Sequence, residues 1–175
     1  MTPQPKPGTY ACVRTGGFLP WLIRLGTRSS YNHAFIVVDD TRIIEADPGG
    51  ARWNTLDAYA NHQLVYNNNE PITDDQRKQV VARAETFIGT PYGWTDIARL
   101  SLRSLGLNWA WLTARADKDK AVICSQLVAI CGDSAGLDWN CGRDTPAAVT
   151  PGDLAARIAR QPAPTAPPRP AGNPA

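Results

Sequence analysis

A chain of 175 residues with 18 basic and 16 acidic side chains carries a net charge of +2, far from the strongly cationic footprint of a general nucleic-acid binder. Hydrophobic residues make up 43% and charged residues 19%, the balance of a soluble globular domain, and no apolar run is long enough for a transmembrane helix, so no stable membrane insertion is expected. Four cysteines without a CxxC pair exclude a disulfide scaffold, leaving free thiols in a reducing compartment as the expectation.

In chain order, residues 1–7 hold three prolines and no apolar stretch, which predicts a short leader and no signal peptide, hence a cytoplasmic protein. Residues 9–14 alternate around Tyr10, Ala11, Cys12 and Val13 as a strand does. Residues 34–38 and 42–46 are β-branched and apolar runs flanking Asp39-Asp40, a predicted hairpin closed by Asp47-Pro48-Gly49-Gly50. A short strand is expected at 63–66, before Asn67-Asn68-Asn69.

The second half reads as helices. Thr73 and Gln76 have capping-box spacing, and Val80, Val81, Ala84, Phe87 and Ile88 follow on one helical face until Gly89 and Pro91. Residues 96–113 carry Ile97, Leu100, Leu105, Leu107, Trp109, Trp111 and Leu112, split at Gly106. An apolar helix is expected over 123–131 and a last one over 151–160, opened by Pro151. Strands in one half and helices in the other predict an α+β domain spanning 8–160. Residues 161–175, mostly Pro and Ala, are expected to form an extended, disordered tail.

Cys124 stands where a loop enters an apolar helix, a position whose free N–H groups and dipole suit a nucleophilic sulfur, although free cysteines are also among the most buried residues. Cys12 and Cys131 read as core, and Cys141 as a loop residue without a nameable partner. A nucleophilic thiol needs a base, and the chain has two histidines. His33 precedes an apolar strand that would hold it rigidly, whereas His62 lies in a polar stretch expected to be exposed. Glu45 sits amid Ile43, Ile44 and Ala46, where a carboxylate is costly without a partner. Pairing with His33 on the adjoining strand would satisfy both, and a solvent-facing glutamate is the plain alternative.

The strings Tyr31-Asn32-His33-Ala34-Phe35-Ile36-Val37-Val38, Ile43-Ile44-Glu45-Ala46, Pro91-Tyr92-Gly93-Trp94, Ile123-Cys124-Ser125-Gln126-Leu127-Val128 and Val149-Thr150-Pro151-Gly152-Asp153-Leu154 resemble, in this order, the circularly permuted NlpC/P60 group of papain-like cysteine hydrolases, the YiiX/LRAT-like branch. Ordinary members place the cysteine first; no histidine follows Cys124 here, as in the permuted branch. The resemblance spans about 8–155. It implies a papain-like α+β fold, with an antiparallel sheet carrying the histidine packed on a helix carrying the cysteine. It further implies Cys124 as nucleophile, His33 as base, Glu45 as the residue orienting it and Tyr92 as a tyrosine bordering the site. The chain departs from the pattern at Asn32, where members often have Ser or Thr, and at Gly93, where many have Asp.

The implied activity is thiol-dependent amide hydrolysis, most directly of a peptidoglycan-type peptide, without metal or cofactor. Scattered Cys and His lack the paired spacing that zinc prefers. Two other functions stay open: lipid or acyl-amide chemistry (amidase, thioesterase or acyltransferase) on the same fold, and a non-catalytic binding or structural module. Residues 96–115 are expected to form either a helical lid at the cleft, with Arg99 and Arg103 one turn apart to anchor a substrate carboxylate, or a helix pair that covers the core. A wall-cleaving enzyme without an export signal would reach the cell wall by a phage particle, a lysis system or a secretion route.

Overall fold

The computed structural model describes residues 4–17, 29–93 and 122–162. Five strands, β1 (Tyr10–Arg14), β2 (His33–Val37), β3 (Arg42–Asp47), β4 (Gly50–Thr55) and β5 (Gln63–Tyr66), form one antiparallel sheet in the order β4-β3-β2-β1-β5. Among the described residues three α-helices follow: α1 (Asp74–Glu85), α2 (Cys124–Ser134) and α3 (Pro151–Ala159). This is the α+β architecture expected from strands gathered ahead of helices.

The three central strands β1, β2 and β3 are buried on both faces along their middles, so they read as mainly apolar runs, while the edge strands β4 and β5 are partly exposed. Tyr10, Cys12, Ala34, Ile36, Ile44 and Ala46 share a core with Val80 and Ala84 of α1, Leu127, Val128 and Cys131 of α2, and Leu154 of α3. Ala11, Val13, Phe35, Val37 and Ile43 form a second cluster on the other face, joined by Leu56, Tyr59, Leu64 and Tyr66. The two expected core cysteines, Cys12 and Cys131, are fully buried.

Strand β4 was absent from the sequence reading, which stopped at the turn over 47–50. Asp47 pairs with Gly50, so these residues close a tight β3–β4 hairpin. Gly50 has φ of +111°, and a Cβ there would stand 2.8 Å from the Thr90 carbonyl oxygen. That close approach lets Ala51 N–H bond Thr90 O and Gly89 N–H bond Ala51 O, both at 2.8 Å. The outer edge of the sheet is thereby paired at its start.

Thr73 caps α1 with Gln76, in the box the sequence predicts. The helix ends at Glu85, earlier than the periodicity implies, and Ile88 falls in the following turns, 38% exposed rather than in the core. Gly132 of α2 lies under the indole of Trp139: a Cβ there would be 2.5 Å from the ring. Trp139 is fully buried, meets Tyr10 edge-on at 4.8 Å and donates its N–H to Glu70 at 3.1 Å. Gly132→Ala therefore overpacks a rigid aromatic contact, at a cost of about 1–3 kcal/mol. Thermal unfolding should show a midpoint lowered by several degrees, and an unchanged midpoint would mean that the indole moves freely.

Candidate active site

The pleat of the sheet assembles the site. Side chains two residues apart share a face, so His33 and Phe35 of β2 point the same way. In register, Glu45 lies opposite Phe35, Arg52 opposite Glu45, and Asn54 opposite Ile43. Glu45, His33, Arg52 and Asn54 therefore share one face. The 3-10 turn Leu56–Tyr59 then carries Tyr59 beneath it, stacked on Phe35 at 5.2 Å and 15°.

His33 opens β2, and Asn32 before it fixes the strand's entry. Asn32 donates through Nδ2 to Thr15 Oγ1 at 2.7 Å and accepts at Oδ1 from Thr15 N–H at 3.0 Å. The asparagine that departs from the family pattern thus ties β1 to β2 beside the histidine. His33 Nε2 is 2.9 Å from Glu45 Oε2. Its other ring nitrogen, Nδ1, is thereby left free of Glu45, and Cys124 stands near enough to the ring for its side chain and charge to raise the imidazole.

Cys124 opens α2, so the first residue of a strand meets the first residue of a helix. Ile123 N–H donates to Gln126 Oε1 at 3.4 Å, and the buried Ser125 hydroxyl donates to Val149 O at 2.6 Å. These bonds fix the first turn of α2 against the segment that enters α3. Thr150 caps that helix with Asp153, which Arg143 also holds, at 2.6 Å. The Cys-Ser-Gln and Val-Thr-Pro-Gly-Asp motifs are thus parts of one anchor. Tyr92 forms a parallel bridge with Val122, two residues before Cys124. Burial pushes its phenol up, and negative charge at Cys124 and Asp47 adds to that.

Glu45 has no exposed surface, yet both its oxygens are satisfied. Oε2 accepts from Tyr59 OH at 2.5 Å as well as facing His33; Oε1 accepts from Asn54 Nδ2 at 2.7 Å and Arg52 Nη2 at 3.0 Å. Burial alone would raise this carboxyl, but the bond and charge of His33 and the bonds from Tyr59 and Asn54 outweigh it and hold Glu45 down at about 2. For His33, burial favours the neutral ring, but the bonds to Cys124 and Glu45 and the charges on both raise it to about 10. With that shift the imidazole is a cation at neutral pH, facing the Glu45 carboxylate.

Burial raises Cys12, with the charges at Cys124 and Cys141 adding to it; burial pushes Cys131 up to about 12, against the pull of Arg83, and Cys141 up to about 11. His62 is exposed, as its polar surroundings suggest, and meets the Tyr59 ring edge-to-face at 5.7 Å. Arg99 and Arg103, expected on a lid over 96–115, lie outside the described residues. Sequence reasoning missed Arg52, Asn54 and Tyr59. A buried glutamate requires donors, and the Gly-Gly turn followed by residues 50–55 could have been read as the returning strand that supplies them.

A stability profile follows from the two shifted groups. Glu45 titrates lower in the folded protein, so its contribution is present above about 4.5 and is lost as pH falls toward about 2. His33 titrates higher, so its contribution is full below 6.5 and is lost as pH rises through about 10. Chemical denaturation should find the greatest stability between about pH 4.5 and 6.5, with a decline toward pH 10 that His33→Gln abolishes. A wild-type profile flat from pH 6 to 10 would contradict the ion pair.

Among the described residues no helix is long and apolar enough to cross a membrane. No protein-family model matches the chain, and no curated protein matches it. Among solved structures, it is similar to the metalloprotein YiiX of Escherichia coli O157:H7, a DUF1105 protein. The two share 19% identity at a TM-score of 0.57, over 77% of this chain and 69% of that one. The shared feature is the fold: a mixed α+β domain of the YiiX type.

Proposed function

We propose that this chain is a cysteine hydrolase that cleaves an amide bond with Cys124 as nucleophile, His33 as general acid and base, and Glu45 as the orienting carboxylate. The observation that supports it best is the His33–Glu45 pair, built on a buried carboxylate held by four donors, with Cys124 near enough to raise the His33 ring. The Cys124 sulfur attacks the carbonyl carbon while the proton resides on His33. The first turn of α2 leaves N–H groups without intrahelical partners, and these can receive the charge that develops on the carbonyl oxygen. The tetrahedral adduct collapses, the C–N bond breaks, and His33 gives its proton to the departing amine. Water then attacks the thioester, losing a proton to His33 and releasing the acid and the thiolate. Glu45 remains an anion throughout and keeps the ring in the required tautomer.

A peptidoglycan-type peptide is the substrate we infer from the resemblance to permuted NlpC/P60 enzymes; action on it would need a phage, lysis or secretion route. YiiX is described as a metalloprotein, which raises a metal as a second reading. Among the described residues no three His, Cys, Asp or Glu side chains converge as a metal site requires. His33 and Glu45 are bonded to each other and Glu45 is fully engaged, so the donor set does not fit a metal, and no step is derived through one. The test is mass spectrometry of peptidoglycan fragments and of acyl amides after incubation with wild-type protein and Cys124→Ala. Peptide cleavage by the wild type alone supports the proposal. Cleavage of acyl amides alone assigns lipid chemistry to the same site, and cleavage of neither assigns a binding module.

A further inference from the structure

Tyr59 touches both members of the His33–Glu45 pair. Its hydroxyl donates to Glu45 Oε2 at 2.5 Å, and its ring faces His33 at 5.8 Å and 37°. Neither contact is left to chance, because the same ring is stacked on the fully buried Phe35. Asn54 reaches the other carboxylate oxygen from β4. We propose that Tyr59, with Asn54, is a positioning residue of the reaction: two donors on each oxygen fix the plane of the Glu45 carboxylate, and the plane fixes the His33 ring with its other nitrogen turned toward Cys124. This deepens the cysteine-hydrolase reading and rests on it.

The geometric reason is directional. A carboxylate free to rotate would let the imidazole swing about its own side-chain bonds, and the bond to sulfur would be made only part of the time. With Oε2 shared between Nε2 and the phenol, and Oε1 held by Asn54 and Arg52, rotation breaks several bonds at once. Tyr59 remains a donor at every accessible pH, since burial and the charge of Glu45 push its phenol far up. The charged and titratable groups around Glu45 are His33 from β2, Arg52 from β4, Tyr59 from the 3-10 turn and Asp47 of its own strand, held by Arg52 at 2.6 Å. Cys124 of α2 stands beyond His33, and His62 lies against the Tyr59 ring.

The test uses the full chain labelled with carbon-13 at the glutamate carboxyls. Tyr59→Phe keeps the ring and its stack and removes one donor. The Glu45 titration midpoint should rise by about one pH unit, and alkylation of Cys124 by iodoacetamide at neutral pH should slow about tenfold, the loss of one charge-assisted bond. Asn54→Ala, which removes a donor without touching the aromatic stack, should raise the midpoint similarly. Phe35→Leu should lower the thermal midpoint and leave the Glu45 titration in place, separating positioning from packing. Wild-type titration and alkylation in Tyr59→Phe would overturn the proposal, as would a shift in Phe35→Leu equal to that in Tyr59→Phe. If Cys124 of the wild type reacts no faster than glutathione, the hydrolase reading fails, and the Glu45 titration still decides whether Tyr59 fixes the carboxylate.

Discussion

Cys124→Ala is expected to fold as the wild type does and to hydrolyse nothing above the uncatalysed rate. The thiol is 4% exposed at the first residue of α2, so trimming it to a methyl group removes little packing. No other group can take its place: Cys12 and Cys131 are sealed in the core, and Cys141 lies beyond the C-terminal end of α2 with its thiol bonded to Trp139 O. His33→Ala should fall to the same background, because the sulfur loses the group that accepts and returns the proton. Cys12→Ala supplies the contrast, since a fully buried core thiol should cost stability and leave activity. Activity retained in Cys124→Ala, measured as release of new amine termini, would show that the sulfur is not the nucleophile.

Glu45→Gln should reduce kcat by about a thousandfold and leave a measurable residue, the behaviour expected when a carboxylate that orients a histidine becomes an amide. Two effects combine. The imidazolium loses its counter-charge, and the new amide N–H₂ must face either His33 and Tyr59 or Arg52 and Asn54, donors in both cases. The same change leaves Arg52 with Asp47 as its charged partner among the described residues. Stability should fall as well, by about 3 kcal/mol or more, the usual cost of breaking a buried ion pair from one side. His62→Ala serves as the control, with kcat within a factor of two of wild type. A Glu45→Gln enzyme within threefold of wild type would remove Glu45 from the mechanism.

The fold was legible where local chemistry and tertiary context agree. Residues 34–38 and 42–46 are strands because apolar β-branched side chains suit a sheet buried on both faces, and the Thr73 and Pro151 signals start helices as their caps require. Strand β4 was missed because Gly50, Ala51 and Asn54 have low strand propensity; what makes them a strand is pairing with β3, and that is tertiary. Ile88 was misplaced for the converse reason, because helical spacing continues past the residue where the backbone leaves the helix. At the site, the scarcity of histidines and the oddity of a glutamate among isoleucines singled out His33 and Glu45. The donors that make Glu45 tolerable come from β4 and the turn after it, so Arg52, Asn54 and Tyr59 became visible only once the register was known.

Reactivity and exposure separate the four thiols, and this gives the most direct test of Cys124 as nucleophile. Cys141 is the most exposed of them, half-buried in a loop, whereas Cys124 is buried. Exposure alone therefore favours Cys141, and activation by His33 favours Cys124, while burial holds Cys141 up at about 11. The measurement is peptide mapping by mass spectrometry after brief treatment of the native protein with limiting iodoacetamide at neutral pH. Modification of Cys124 ahead of Cys141, lost when His33 is replaced by alanine, is the result predicted here. Modification of Cys141 first, or of Cys124 at a rate indifferent to His33, would contradict it.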